Sequence, residues 1–225
     1  MIKRSTLRAQ IASALRDEIL AGRLPAGSRF TVKEIAEQYG VSATPVREAL
    51  VDLAAQGLLD VEQHRGFLVH EFTIDDYRSM VRARMVVLDG LFHGYFAADG
   101  PVPVAALDPS VLASVRRRAE AAVRAARAGD LDVLIGYDLR YWRELGETVG
   151  NRYICDFLDR LRVQCWVYAV PCLRKEPEVA KRLWAGHREL LDAVEHEDVE
   201  DTRRIMDGYH RHALALAGKS LRSGP

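Results

Sequence analysis

The chain is poor in cysteine, with only Cys155, Cys165 and Cys172 in 225 residues. An odd count without a Cys-x-x-Cys pair excludes a disulfide framework and a zinc knuckle, and it fits a reducing cytoplasm. No run of about 18 apolar residues occurs, so no membrane span is expected. Met1–Gln10 is charged and polar, which predicts no secretory leader. Net charge is also missing, since 32 Lys and Arg balance 32 Asp and Glu. Residues 1–70 hold nine basic residues (Lys3, Arg4, Arg8, Arg16, Arg23, Arg29, Lys33, Arg47, Arg65) against eight acidic ones. Contact with nucleic acid therefore has to come from where the charges sit, because phosphate binding needs local positive charge. No Gly-rich phosphate loop, Ser or Cys nucleophile motif or His-Glu-x-x-His is present, so an enzyme is not expected. What remains is 48% hydrophobic and 28% charged residues, the composition of an ordered globular chain. The length allows one or two domains.

Ser5–Gly22 carries Leu7, Ile11, Leu15 and Ile19 at four-residue spacing, one apolar stripe of a helix. Thr31 with Glu34 has the form of a capping box and predicts a helix from Val32 to Tyr39, ended by Gly40. Ser42 is expected to cap a third helix, Ala43–Gln56, that turns Val46, Ala49, Leu50 and Leu53 inward. The period then changes. Leu58–Glu62 and Phe67–His70 read as two strands joined by Gln63-His64-Arg65-Gly66. Beyond Phe72 the pattern is helical: to about Ala98, a Gly100–Pro103 loop, then Asp108 to Ala128 and Asp130 to Val149. Arg152 to Ala169, Glu178 to His196 and Val199 to Gly218 follow. Pro171 is expected to stop the fourth of these helices. The fold class is thus mainly α: residues 1–72 form a winged helix-turn-helix and residues 73–225 an all-α antiparallel bundle.

Three helices and a hairpin wing form a unit that reads DNA, with the third helix in the major groove and its first turn at the base edges. Ser42 and Thr44 can donate to phosphate, as can the free N–H groups of that turn. Arg47 can reach phosphate or a guanine edge. Lys33 opens the second helix, and His64, Arg65 and Gly66 form the wing tip. Taken singly, each of these is an ordinary surface residue.

The run Gly22-Arg23-Leu24-Pro25-Ala26-Gly27, followed by Gly40-Val41-Ser42-Ala43-Thr44-Pro45-Val46-Arg47-Glu48-Ala49-Leu50, resembles the GntR family of bacterial regulators. Leu53, Gly57-Leu58 and Arg65-Gly66-Phe67 continue the match. The resemblance implies a homodimer on a short palindromic operator, contacted through Lys33, Ser42, Thr44, Arg47 and the wing. Ala43 stands where the family usually has an Arg that contacts a base. Its absence removes a guanine reader worth roughly 1–3 kcal/mol of discrimination.

The helical part resembles the FadR-like subgroup with its FCD-type ligand-binding domain, through Asp138-Leu139-Arg140-Tyr141-Trp142 and His187-Arg188-Glu189-Leu190-Leu191-Asp192-Ala193-Val194. Many members of that subgroup hold a divalent metal (zinc, nickel or manganese) on an Asp, a His four residues on, and a His on each of the last two helices. Asp138 and His187 keep two of these places, while Trp142 and Tyr209 take the other two. His210 is adjacent, but one residue turns a helical side chain by about 100°. Two readings follow. A metal rests on Asp138, His187 and a slipped His210. Otherwise Asp138, Trp142, His187 and Tyr209 line a pocket for an organic effector, a carboxylate or fatty acyl compound gripped by Arg84. The bland alternative makes Trp142 and Tyr209 core residues. Two other classes remain: a winged-helix module for protein contacts, and a small helical enzyme using Asp138 and His187 as acid and base.

Overall fold

The computed structural model describes residues 6–94, 108–148 and 150–219. Ser5, the Gly100–Pro103 loop and Val149 lie outside them. The chain divides into two compact units, Met1–Thr73 and Ile74–Pro225.

In the first unit the elements are α1 (Leu7–Leu20), β1 (Arg29–Phe30), α2 (Val32–Tyr39), α3 (Ala43–Ala55), β2 (Leu59–Glu62) and β3 (Gly66–Val69). Thr6 caps α1 by accepting from the Ala9 N–H. Ile11, Leu15 and Ile19 are buried on one side of α1, which packs on α3. Val46, Ala49, Leu50 and Leu53 are wholly buried at the centre. Each large side chain removed from water there contributes roughly 1.5–3 kcal/mol. The sheet is antiparallel in the order β1-β3-β2, pairing Arg29 with Leu68 and Leu59 with Val69. The two-strand expectation thus missed β1, whose two residues are too few to show alternation.

The second unit contains α4 (Ile74–Gly94), α5 (Pro109–Ala128), α6 (Leu131–Glu147), α7 (Arg152–Leu173), a 3-10 turn Val179–Arg182, α8 (His187–Glu195) and α9 (Val199–Lys219). Asp108 caps α5, and Pro109 stands in its first turn, where no N–H bond is lost. Buried Ala119, Ala122, Ala125 and Ala126 let α6 lie close against α5. Gly129, left-handed at φ 74°, ends α5, and Asp130 at once caps α6. Leu131, Leu134, Ile135, Asp138 and Tyr141 are buried along α6, so the periodicity that builds the core carries Asp138 inward.

Two sequence expectations fail here. Pro171 does not stop α7, which runs on to Leu173. So close to the helix end, proline forfeits little of the ladder. Glu178–His196 is not one helix: Leu183 is extended and α8 starts only at His187. Trp184 explains the break, since its indole lies 2.6 Å from where a Gly186 Cβ would stand. Only glycine lets that ring fold over the entry to α8.

Candidate DNA-reading face and bundle cavities

The elbow between α2 and α3 has two unlike ends. Thr31 Oγ1 accepts from the Glu34 N–H at 3.2 Å, and the Glu34 carboxylate accepts from the Thr31 N–H at 2.7 Å. This reciprocal pair closes the start of α2 and holds the Glu34 carboxyl below its ordinary pKa, chiefly through the backbone bond to Thr31. Gly40 at φ 64° ends the helix. α3 begins differently. Ser42 has the extended backbone of an N-cap, yet its hydroxyl makes no capping bond. The side-chain cap expected of Ser42 is therefore absent, and the N–H groups of Ala43 and Thr44 keep their capacity for an outside acceptor. Ser42, Thr44 and Arg47 are all exposed beside them. Arg47 is in no ion pair among the described residues. Lys33 is exposed and lies 3.7 Å from Glu37, a surface pair that contributes little. Lys33, Ala43 and Arg47 border one open cleft between α2 and α3.

At the wing tip His64 and Arg65 are exposed, and the Arg65 N–H closes a turn on the Glu62 carbonyl at 3.0 Å. His64 has φ 64°, uncommon for a residue with a Cβ. Gly66 has φ 96°, and a Cβ there would stand 2.5 Å from the Phe30 carbonyl oxygen. Glycine is required so that β3 can pass β1.

In the bundle, the sequence-selected residues converge. The Asp138 carboxylate accepts from Trp142 Nε1 at 2.9 Å and from His187 Nε2 at 2.8 Å on one oxygen, and from Trp166 Nε1 at 2.7 Å on the other. Burial alone would raise this carboxyl. The His187 hydrogen bond, the nearby charges of His187 and Arg162 and the Trp166 N–H together outweigh burial and hold it below the usual range. Tyr141 fixes His187 from behind by donating to its carbonyl at 2.9 Å. Trp142, Trp184 and Tyr209 pack ring to ring, with Tyr209 centred 5.1 Å from Trp142 and 4.7 Å from Trp184. Tyr209, not its neighbour His210, meets these rings. His210 is buried with Nε2 unpartnered.

Two buried guanidiniums complete the site. Arg84 is 2% exposed, with its carbon 5.0 Å over the Tyr209 ring, and its Nε and Nη2 have no partner. Arg162 is 4% exposed, lies 4.0 Å over the Trp142 ring and donates to Tyr209 Oη at 2.9 Å. Neither forms an ion pair among the described residues. Sequence reasoning missed Arg162, Trp166 and Trp184. The signal for the first two was on α7, where Leu158, Arg162, Cys165, Trp166 and Ala169 follow helical spacing and put a lone Arg on the inward face.

These residues enclose two spaces. Arg84, Asp138, His187, Tyr209 and Arg162 line a cavity of about 50 Å³, room for a water or two. Trp142 does not line it. Its ring instead walls a second cavity of about 590 Å³, between Leu88 and Leu91 of α4, the C-terminal turns of α6 and the N-terminal turns of α7. Arg162 lines both spaces.

The donor set does not suit a metal. No three His, Cys, Asp or Glu side chains among the described residues could hold an ion together. Asp138 already satisfies three N–H donors, and rings from Trp142 and Tyr209 fill the places of two imidazoles.

Residues 7–69 match the family described as bacterial regulatory proteins, gntR family, and residues 104–212 match the FCD domain. The probable D-xylose utilization operon transcriptional repressor of Paenarthrobacter nicotinovorans is 30% identical over 199 residues, covering 88% of this chain and 83% of its own. The HTH-type transcriptional regulator McbR of Escherichia coli is 24% identical over 220 residues, 96% of this chain and 94% of its own. Among solved structures, E. coli McbR/YncC superposes with a TM-score of 0.77 at 24% identity, covering 97% of this chain and 100% of that one. A putative GntR regulator from Rhodococcus sp. RHA1 gives 0.68 at 20% identity, covering 98% and 100%. The two superpositions speak for the fold. No helix among the described residues is long and apolar enough to cross a membrane.

Proposed function

Since the chain belongs to the gntR family of bacterial transcriptional regulators and carries an FCD domain, we propose that it is a repressor that binds a palindromic operator as a homodimer and leaves it when a small molecule enters the bundle. The observation that carries the DNA-binding part is the first turn of α3. It offers uncapped N–H groups, two exposed hydroxyls and an exposed Arg47 on one surface. Helix N–H groups and hydroxyls take phosphate, and a guanidinium one turn in reaches phosphate or a guanine edge. Two such helices, one per protomer, would meet half-sites about one helical turn apart or less. The wing, with His64 and Arg65, lies beside the duplex and supplies part of the discrimination that Ala43 cannot.

The sign of regulation is supported by the Paenarthrobacter relative, itself named a repressor. An effector is supported by the surplus of buried cations. Arg84 and Arg162 line the small cavity with Asp138, whose carboxylate already accepts three N–H bonds. Neither forms an ion pair among the described residues, and burying a cation without a counter-ion is costly. An anion is the natural complement, and we read the domain as working without a bound metal. By the same geometry Asp138 and His187 are poorly placed to act as acid and base on a substrate: the carboxylate already accepts three N–H bonds, and the pair lies in the cavity with room for a water or two.

The test is a gel shift with DNA from upstream of the protein's own gene, run against salt. Specific binding should weaken steeply as salt rises. Arg47→Ala should lose the specific shift while remaining folded and dimeric. Normal operator binding by that variant would overturn the assignment of α3, and a salt-insensitive partner would favour a protein-contact module.

A further inference from the structure

The cavity that the expected effector residues share is too small for an organic molecule, whereas the space on the far side of Trp142 is not. At about 590 Å³ it falls within the range of roughly 300–1,000 Å³ typical of small-molecule sites. Its walls are Leu88, Leu91, Trp142, Leu158, Val194 and Met206, so an occupant must be largely apolar. The polar features of this space are unequally placed. The charged residues around it besides Arg162 are Arg143, Glu147, Arg152, Asp156 and Asp159: the three carboxylates outnumber the two cations, Arg143 is already paired with Asp159, and Arg152 is exposed to water. Arg162 is different: it is 4% exposed, forms no ion pair among the described residues and lies against Trp142 in the partition between the two spaces.

We propose that this second cavity is the effector site and that it takes a monocarboxylate amphiphile, with its head on Arg162 and its apolar body along α4, α7 and α8. The inference rests on the effector reading above and names the class of molecule. A head group near Glu147 and Asp156 would meet like charge, while at Arg162 it gains a charge-assisted bond in a dry setting. Arg162 also carries the coupling: its Nη1 holds Tyr209 on α9, and its guanidinium covers Trp142 on α6. A carboxylate drawing Arg162 toward it changes the hold on both helices, which is the differential contact an effector must have between two states.

The test measures binding apart from regulation, by Trp emission and thermal midpoint of the full chain titrated with decanoate, decanol, acetate and D-xylose. Decanoate should bind. Decanol should bind at least tenfold more weakly, and acetate and xylose should not bind measurably. Gly146→Leu introduces a side chain at the cavity wall on a helical residue, where a Cβ meets nothing nearer than Cys155 Sγ at 3.7 Å. It should abolish decanoate binding. Arg162→Gln should reduce decanoate to the decanol level. Equal affinity for decanoate and decanol, full binding by Gly146→Leu, or preferential binding of xylose would each overturn the proposal. Should Gly146→Leu not fold, Val194→Phe fills the same wall. Operator affinity is read separately. Decanoate that binds with the predicted variant pattern but leaves the gel shift unchanged upholds the site and removes its role as effector.

Discussion

His210 allows a quantitative prediction about acid stability. The ring is buried in the bundle with Nε2 unpartnered. Burial first, then the charges of Arg84 and Arg162, pull its pKa from the usual 6.5 down to about 3, against the opposing bond to the Met206 carbonyl. The folded value lies below the unfolded one, so between these limits the unfolded chain holds a proton that the folded chain does not. Stability from the neutral ring is complete above pH 6.5 and is lost as pH falls toward 3. At about 1.36 kcal/mol for each pH unit crossed, the loss between pH 7.5 and 4.5 is roughly 2.5–3 kcal/mol, a large share of the 5–15 kcal/mol of a typical domain. His210→Phe keeps a ring of similar shape and cannot titrate. Urea unfolding followed by tryptophan emission is the assay, because Trp142, Trp166 and Trp184 all lie in the C-terminal unit and report it alone. His212, also lowered mainly by burial, titrates in both proteins and cancels in the comparison. The stability difference between wild type and His210→Phe should shift by that amount across the interval. Parallel curves would refute the argument.

Three further outcomes follow from single contacts. Asp138→Asn must turn its amide N–H toward at least one of the donors now held by the carboxylate, and should destabilise the C-terminal unit by about 1–3 kcal/mol in the same assay. An unchanged midpoint would mean that the N–H groups do not depend on the charge. Gly66→Ala brings a Cβ against the Phe30 carbonyl at positive φ and should cost about 1–3 kcal/mol, lowering the N-terminal melting transition in circular dichroism. A wild-type midpoint would show that β3 can pass β1 without glycine. Thr31→Ala breaks the capping box and should cost about 1 kcal/mol, seen as faster hydrogen exchange in the first turn of α2. Unchanged exchange there would show that Glu34 alone holds that end.

The architecture was legible wherever periodicity met punctuation. Thr31 with Glu34, Gly40, and the Gly129-Asp130 pair mark helix ends by residues whose backbone or side-chain chemistry suits that position and little else. Where tertiary packing decided, the sequence was mute. Nothing local in Gly186 reveals that Trp184 folds over it and splits one apparent helix into a 3-10 turn and α8. Pro171 reads as a stop, yet at the last turn of α7 it breaks too little to end the helix. In the site, the spacing Asp138-x-x-x-Trp142 placed both side chains on one face of α6, and the structure joins them by a hydrogen bond. The partners from α7 were invisible from that helix, because their proximity is set by the fold alone.

Trp142 and Tyr209 stand where the resemblance to metal-binding FCD domains implies imidazoles, and that gives the bundle a different electrostatic task. A carboxylate bridging imidazoles around a dication would be consumed by the metal. Here three N–H donors consume it, so Asp138 becomes a fixed acceptor that orders Trp142, Trp166 and His187. Its charge still acts on Arg162 through space, but neither Arg84 nor Arg162 stands at ion-pair distance from it. Those guanidiniums have aromatic faces and neutral hydrogen-bond partners, Tyr209 for both and Cys165 for Arg84, a weaker complement than a carboxylate. With two buried guanidiniums, Arg84 and Arg162, and one buried carboxylate, Asp138, among the described residues, the bundle carries surplus cationic charge. It is best relieved by an anion entering from outside, on the side of Trp142 where there is room for one.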